Sequence, residues 1–152
     1  MPRVLIIGCG NPLRCDDGLA WHLTEALRSM SLPRGIEIIT QHQLTPELAS
    51  PVSEADMVLF VDAARDGDAG EIRCRPVSLL PVPNALSHEY SPESVLSLAQ
   101  ELYGKSPRGF MLSLGGECFE TGTTLSRSVE KSLPECLDQM LKMIQPGALA
   151  SL

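Results

Sequence analysis

The chain has 152 residues, of which 43% are hydrophobic and 4% aromatic, and its formal net charge is −7. This length predicts one domain with its own aliphatic core, and the negative charge argues against nucleic acid or an anionic membrane as a partner. Because no apolar run is long enough to cross a bilayer and the N-terminus lacks a signal-peptide pattern, we expect a cytoplasmic protein without membrane partners.

Five cysteines form an odd set without any C-x-x-C pair. This arrangement argues against a disulfide framework and against a structural zinc knuckle. We expect most of them to be small buried hydrophobes, with Cys9 and Cys15 as candidates for a site role because they flank a glycine loop.

The first predicted element is a buried strand over about 3–8, made of four consecutive branched apolar residues. Such a run, without polar alternation, is typical of a parallel sheet covered on both faces. Gly8 and Gly10 then allow a tight turn. Asp16 and Asp17 follow, immediately before an apolar helical pattern over about 18–30, where the helix dipole favours an ionised carboxylate.

This strand, turn and helix permit two interpretations. A dinucleotide-binding fingerprint has the same order of elements, but Leu13 occupies its third glycine position and the second strand ends at Thr40 instead of an acid. Asp16 and Asp17 would also repel a pyrophosphate. The stretch therefore favours a cation site, in which one of the two aspartates can also serve as an N-cap.

The later elements alternate between strands and helices. The pattern predicts strands over 36–40, 57–61, 71–75 and 110–114, and helices after Thr45, after Ser91 and over 124–144 with an interruption or kink at Pro134. The strand over 71–75 follows a short turn and is expected at an antiparallel edge. We predict an α/β fold: a three-layer α/β/α sandwich around a mainly parallel five-stranded sheet, forming a single domain over 1–146 with a frayed tail over 147–152.

Three candidate ligands fall where such a sheet binds ligands, beyond the carboxyl ends of its strands. Asp17 follows the first strand, Asp62 ends the third, and His88 lies in the loop before the Ser91 helix. Two carboxylates and one imidazole suit an open site for a divalent transition metal. His42 and Gln43, at the end of the neighbouring strand, could reach the same cleft, although a loop histidine without a metal role is the simpler interpretation of His42.

Four segments together resemble the nickel-iron hydrogenase maturation proteases, from the first strand to the last helix. These segments are Gly8-x-Gly10-Asn11-x-Leu13-x-x-Asp16-Asp17-Gly18, Val61-Asp62-Ala63, Ser87-His88, and Glu117-x-x-x-x-Gly122-x-x-Leu125-Ser126.

The resemblance implies an endopeptidase that removes a short C-terminal extension from a [NiFe]-hydrogenase large-subunit precursor after nickel insertion. It implies that the substrate's own nickel is recognised, and it places the metal ligands on Asp17, Asp62 and His88. Other members carry an Asp-Gly-Gly-Thr segment, associated with partner choice, where this chain has the different sequence 40–48. His42 and Gln43 belong to that segment, so we assign them to substrate recognition and leave the identity of the large subunit open.

The sequence contains no G-x-S-x-G, no H-E-x-x-H and no thiol-protease signature, so amide hydrolysis here would use an activated water. Asp16 is the candidate general base in that scheme. In an aspartic-type alternative, Asp16 or Asp17 shares a proton with Asp62 and the metal serves recognition only. A third possibility is a non-catalytic, metal-dependent checkpoint or chaperone that binds the nickel-loaded subunit without cutting it. We expect the free protein to be a monomer.

Overall fold

The computed structural model describes residues 2–80 and 90–148. Five strands form one sheet in the order β2-β1-β3-β5-β4. Their bounds are β1 Val4–Cys9, β2 Ile36–Gln41, β3 Met57–Ala64, β4 Ile72–Val77 and β5 Arg108–Gly115. The helices are α1 Leu19–Arg28, α2 Ala49–Glu54, α3 Pro92–Tyr103 and α4 Arg127–Met143, with 3-10 turns at Cys15–Gly18 and Pro46–Leu48.

The sheet has the mainly parallel character that the sequence predicts. β1 pairs in parallel with β2 and β3, and β3 with β5, whereas β4 runs antiparallel to β5 at the edge. The antiparallel pairing follows from the short turn between β3 and β4, which leaves no room for a crossover. The predicted α/β fold is therefore confirmed, including its antiparallel edge strand.

Two apolar cores lie on opposite faces of the sheet. Alternate residues of β1 enter different cores, so that all six are buried. One core joins the sheet to α1 and α4, for example through Ile6, Leu23 and Met140. The other joins it to α2 and α3 through residues such as Ile7, Val52 and Leu96. This double coverage explains why the central strands are apolar without alternation.

Tertiary packing decides details of two helices. Leu102 is 61% exposed, because the last turn of α3 does not reach the core that Val95 and Ala99 enter. α4 begins at Arg127 because the Ser126 side chain caps it by accepting a hydrogen bond from the Val129 N–H. It continues through Pro134 without the predicted interruption.

None of the helices in the described part of the chain is long and apolar enough to cross a membrane.

Candidate active site

Two clefts meet at a pair of aspartates, one after the carboxyl end of β1 and one among the last residues of β3. The smaller, about 210 Å³, we call the histidine cleft; its lining includes Cys9, His42, Gln43 and Tyr90. The larger, about 690 Å³, we call the arginine cleft; its lining includes Arg65, Arg73, Arg75 and Ser113. Asp17 and Asp62 line both clefts. The structure thus brings together the two carboxylates that the sequence singled out, at the edge where parallel sheets bind ligands.

Asp62 is positioned by the alternation of β3. It follows Val58 and Phe60 on the face that carries the α2–α3 core, but lies beyond that core and is only half-buried. Its Oδ1 accepts a hydrogen bond from the Ala63 N–H at 2.7 Å. Burial raises the pKa of Asp62, the Ala63 N–H lowers it, the Asp17 charge raises it and Arg65 lowers it, with the result at about 7. The carboxyl can therefore exchange a proton near neutral pH.

Asp17 is held by the glycine loop that follows β1. Its Oδ2 accepts a hydrogen bond from the Asn11 N–H at 2.8 Å. Gly10 adopts φ +140°, and a Cβ there would lie 1.9 Å from the Asp17 carbonyl oxygen. A side chain at position 10 would thus displace Asp17, which is the physical reason for a glycine here.

The pairing of β1 with β2 brings His42 to the same loop. The Gly10 N–H donates to the Gln41 carbonyl at 3.1 Å, so His42 emerges beside Gly10. Trp21, on α1, donates its indole N–H to the Gly10 carbonyl at 2.7 Å. Its ring also meets the His42 ring edge-to-face, with 5.7 Å between the ring centroids. The structure places His42 and Gln43 in the cleft with Asp17; their role in substrate recognition stays a prediction.

Trp21 is the residue at this site that sequence reasoning missed. The available signal was that it is the only tryptophan of the chain and lies four residues after Asp17. A spacing of four residues places two side chains on one face of a helix. Asp17, however, precedes α1, which begins at Leu19. The spacing therefore did not indicate that Trp21 contacts Gly10.

Asp16 lies apart from both clefts and does not suit the base that the sequence suggested. Its side chain is completely buried. Oδ2 accepts hydrogen bonds from the N–H groups of Glu117 and Cys118, at 2.8 and 3.0 Å, and Oδ1 accepts one from Ser126 at 2.7 Å. Burial alone would raise the pKa of Asp16, but the three N–H groups lower it overall. A carboxylate in this position anchors the loop 116–126, and it is a poor proton acceptor.

The burial and hydrogen bonds of Asp16 disfavour the two roles assigned to it from the sequence, the general base and the partner in a proton-sharing dyad, and both stay predictions. Adjacent residues on a tight turn point in different directions, so Asp17 faces the clefts while Asp16 faces the loop. The motif segment Glu117 to Ser126 that supported the family resemblance is the segment that supplies the N–H partners of Asp16. Of the two neighbouring aspartates, only Asp17 is available to chemistry in the clefts.

His88, the third predicted metal ligand, lies outside the described residues. Within residues 2–80 and 90–148, no three histidine, cysteine, aspartate or glutamate side chains are arranged to hold a metal ion. The assignment of a metal to Asp17, Asp62 and His88 thus stays a prediction.

The cysteines are less buried than the sequence suggested. Cys9 and Cys136 are buried, Cys15 and Cys118 are half-exposed, and Cys74 is exposed. In the histidine cleft, burial together with the charges of Asp62 and Asp17 raises the pKa of Cys9 to about 12. Cys9 is therefore a protonated thiol at neutral pH and is not a nucleophile.

We expect Asp16→Ala to lower the free energy of unfolding by about 3–5 kcal/mol, because it removes a buried carboxylate and leaves three partly buried N–H groups without their acceptor. Thermal and urea unfolding at pH 7 would measure this loss. Asp138→Ala, at an exposed position of α4, is the matched control and should change the free energy of unfolding by less than about 0.5 kcal/mol.

The pH dependence checks the ionic origin of the Asp16 effect. Because the folded-state pKa of Asp16 lies below its unfolded value, its contribution is present above the unfolded pKa and is lost as the pH falls through the folded pKa. The stability difference between wild type and Asp16→Asn should accordingly shrink in acid. A difference that stayed constant from pH 7 to pH 3 would contradict the ionised-anchor role.

Asp62→Asn should stabilise the protein above neutral pH. The folded-state pKa of Asp62 lies above its unfolded value, so the folded state binds the extra proton and wild-type stability falls as the pH rises from about 4 to about 7. We expect the free energy of unfolding of the variant to exceed that of the wild type by about 2 kcal/mol at pH 8, a value already reduced for the partial exposure of Asp62. Below pH 4 the two free energies should be equal. Urea unfolding with a chelator present measures both free energies. If the free energy of unfolding changed with pH in the same way for the variant and the wild type, the raised pKa of Asp62 would be contradicted.

Comparisons with known proteins agree with the fold. No family model matches the chain. A Methanocaldococcus jannaschii protein named as a hydrogenase maturation protease is 25% identical over 148 residues, covering 93% of this chain and 96% of that protein.

Two solved structures extend the comparison to the fold. The hydrogenase maturating endopeptidase HybD from E. coli superposes with a TM-score of 0.72 at 25% identity, covering 91% of this chain and 90% of that one. The [NiFe] hydrogenase maturation protease HycI from Thermococcus kodakarensis has the same fold, with a TM-score of 0.75 at 19% identity and coverage of 95% and 94%. In sequence and fold, over nearly its whole length, this chain is similar to proteins named as hydrogenase maturation proteases.

Proposed function

We propose that this protein is an endopeptidase that removes the C-terminal extension of a nickel-loaded [NiFe]-hydrogenase large-subunit precursor. The observation that carries the proposal is the position of Asp17 and Asp62 at the junction of two clefts. An extended peptide lying across this junction would present one of its bonds to both carboxylates. The similarity to proteins named as hydrogenase maturation proteases supports this proposal, and the large-subunit precursor is the substrate that the family resemblance implies.

In this proposal nickel arrives with the substrate. The resemblance assigns its recognition to Asp17, Asp62 and His88, whose oxygen and nitrogen atoms are suitable donors for a divalent transition metal. Docking of the metal on these residues would hold the scissile bond beside them, so that peptide positioning becomes nearly intramolecular. Binding of the precursor to these residues would then depend on completed nickel insertion.

Asp62 is the best candidate to handle the proton in bond cleavage. It lies in both clefts, and its raised pKa lets a deprotonated carboxylate accept a proton from an attacking water near neutral pH. The same carboxyl could return that proton to the leaving amine. Asp17 keeps the second carboxylate close, and the Asn11 N–H fixes its orientation. With Asp16 occupied by the loop 116–126, an aspartic-type scheme would have to use Asp17 and Asp62.

Arg65 is the cation best placed to act on the substrate. Arg73 pairs with Asp66 and Glu71, and Arg75 pairs with Glu93. Arg65 instead lies 4.2 Å from the centroid of the Phe119 ring and has no ion pair within the described part of the chain. It borders the arginine cleft and is close enough to lower the pKa of Asp62. A guanidinium there could stabilise negative charge on the scissile carbonyl.

Mass spectrometry of a hydrogenase large-subunit precursor from the same cell tests the function. We expect nickel-loaded precursor to lose a C-terminal peptide on incubation with this protein, and nickel-free precursor to stay intact. Asp62→Ala should abolish cleavage, whereas Asp138→Ala, far from the clefts on α4, should cleave like the wild type. Precursor that stays intact although it binds in a nickel-dependent pull-down would refute the endopeptidase and support the checkpoint alternative.

The role of Arg65 is tested in the same assay by Arg65→Gln. We expect kcat to fall at least about tenfold with little change in KM, because the lost charge acts on the transition state. Lys142→Gln, which removes an exposed charge from α4, is the control and should leave both constants unchanged. A change in KM alone would assign Arg65 to substrate binding and remove it from the chemical step.

A further inference from the structure

The side chains of Cys15 and Cys118 are within interaction range of each other where the turn Cys15–Gly18 meets the loop 116–126. The backbones are joined next to them, because the Asp16 N–H donates to the Cys118 carbonyl at 2.9 Å and the Cys118 N–H donates to Asp16 Oδ2 at 3.0 Å. Cys15, the chain neighbour of Asp16, is thus held beside the segment that carries Cys118, as a disulfide requires.

The two cysteines are also accessible and held in place. Both are half-exposed, in contrast to the buried Cys9 and Cys136. Cys15 adopts φ +47°, a left-handed conformation that is uncommon for a residue with a side chain. The Cys15 N–H donates to the Gly122 carbonyl at 2.9 Å, and its Sγ would lie 2.9 Å from a Cβ at position 122. The fold thus maintains a strained cysteine with its thiol directed at the loop that carries Cys118.

We propose that Cys15 and Cys118 are a disulfide site, which a peroxide oxidises and a dithiol reduces. The bond would tie the turn that carries Asp17 to the loop that Asp16 already anchors. This inference does not depend on the proposed protease activity, since it concerns two side chains outside both clefts.

The chemistry balances with hydrogen peroxide as the two-electron oxidant. One thiolate attacks a peroxide oxygen, the O–O bond breaks, and a sulfenic acid and a hydroxide form; the hydroxide takes up the proton that the thiol had released and becomes water. The sulfur of the second cysteine then attacks the sulfenic sulfur, the S–S bond forms as the S–O bond breaks, and the departing hydroxyl takes the proton of the second thiol and leaves as a second water.

The disulfide would close a loop of about 100 residues, which strongly restricts the unfolded chain. We expect the melting temperature of the oxidised protein to be roughly 10 °C higher than that of the reduced protein, and to return on treatment with dithiothreitol.

The test is oxidation of the reduced full chain with hydrogen peroxide, followed by unfolding, alkylation with iodoacetamide and intact mass measurement. Of the five cysteines, three should remain alkylated, and a peptide map should show Cys15 linked to Cys118. In Cys118→Ala and in Cys15→Ser, all remaining cysteines should be alkylated after oxidation, and the melting temperature should not rise. The two variants check each other, because they remove different partners of the same bond and a packing defect specific to one would not recur in the other.

A competing pair supplies the matched control. Cys74 lies close enough to Cys136 for its charge to raise the pKa of that thiol, but Cys136 is fully buried. Cys74→Ser should therefore form the Cys15–Cys118 bond as readily as the wild type. Five alkylated cysteines after oxidation, a Cys74–Cys136 link, or sulfinic acid at Cys15 without a cross-link would each overturn the proposal.

Discussion

The candidate site depends on one buried carboxylate that accepts three backbone hydrogen bonds. Asp16 has no access to solvent, and its oxygens accept from the N–H groups of Glu117, Cys118 and Ser126. Asp16 is the acceptor for these N–H groups, and a partly buried N–H group without an acceptor would be costly. Through this one side chain, the turn after β1 and the start of α4 hold each other in place.

The consequence of that anchor is the orientation of Asp17. With Asp16 turned toward the loop, its neighbour is directed to the clefts, where the Asn11 N–H and the close approach of Gly10 fix it. Trp21 adds a second constraint by binding the Gly10 carbonyl and contacting His42. The site is therefore built on a rigid loop with packed supports, as accurate positioning of a substrate requires.

The electrostatics of the clefts reflect a compromise between burial and charge. Asp62 is close to another carboxylate and partly removed from water, which raises its pKa to about 7, and Arg65 lowers it only in part. Such a group is costly to ionise in the folded protein, and this cost is typical of functional positions. Asp16 shows the opposite outcome, since hydrogen bonding there outweighs burial. The two aspartates thus differ in proton affinity: Asp16 has three backbone N–H donors, whereas Asp62 has one and lies near the charge of Asp17.

The amino-acid sequence alone determined the α/β class, the mainly parallel pairing of the strands and the antiparallel edge strand. Unbroken apolar runs and short turns permit few other arrangements. It also indicated Asp17 and Asp62, since both follow apolar strands that end at one edge. Only the tertiary structure separated the roles of Asp16 and Asp17, which are adjacent and chemically identical in the sequence. Their difference arises from a loop about a hundred residues further along the chain. The contact of Trp21 with Gly10 and the exposure of Leu102 depend likewise on how the elements pack, which local periodicity does not encode.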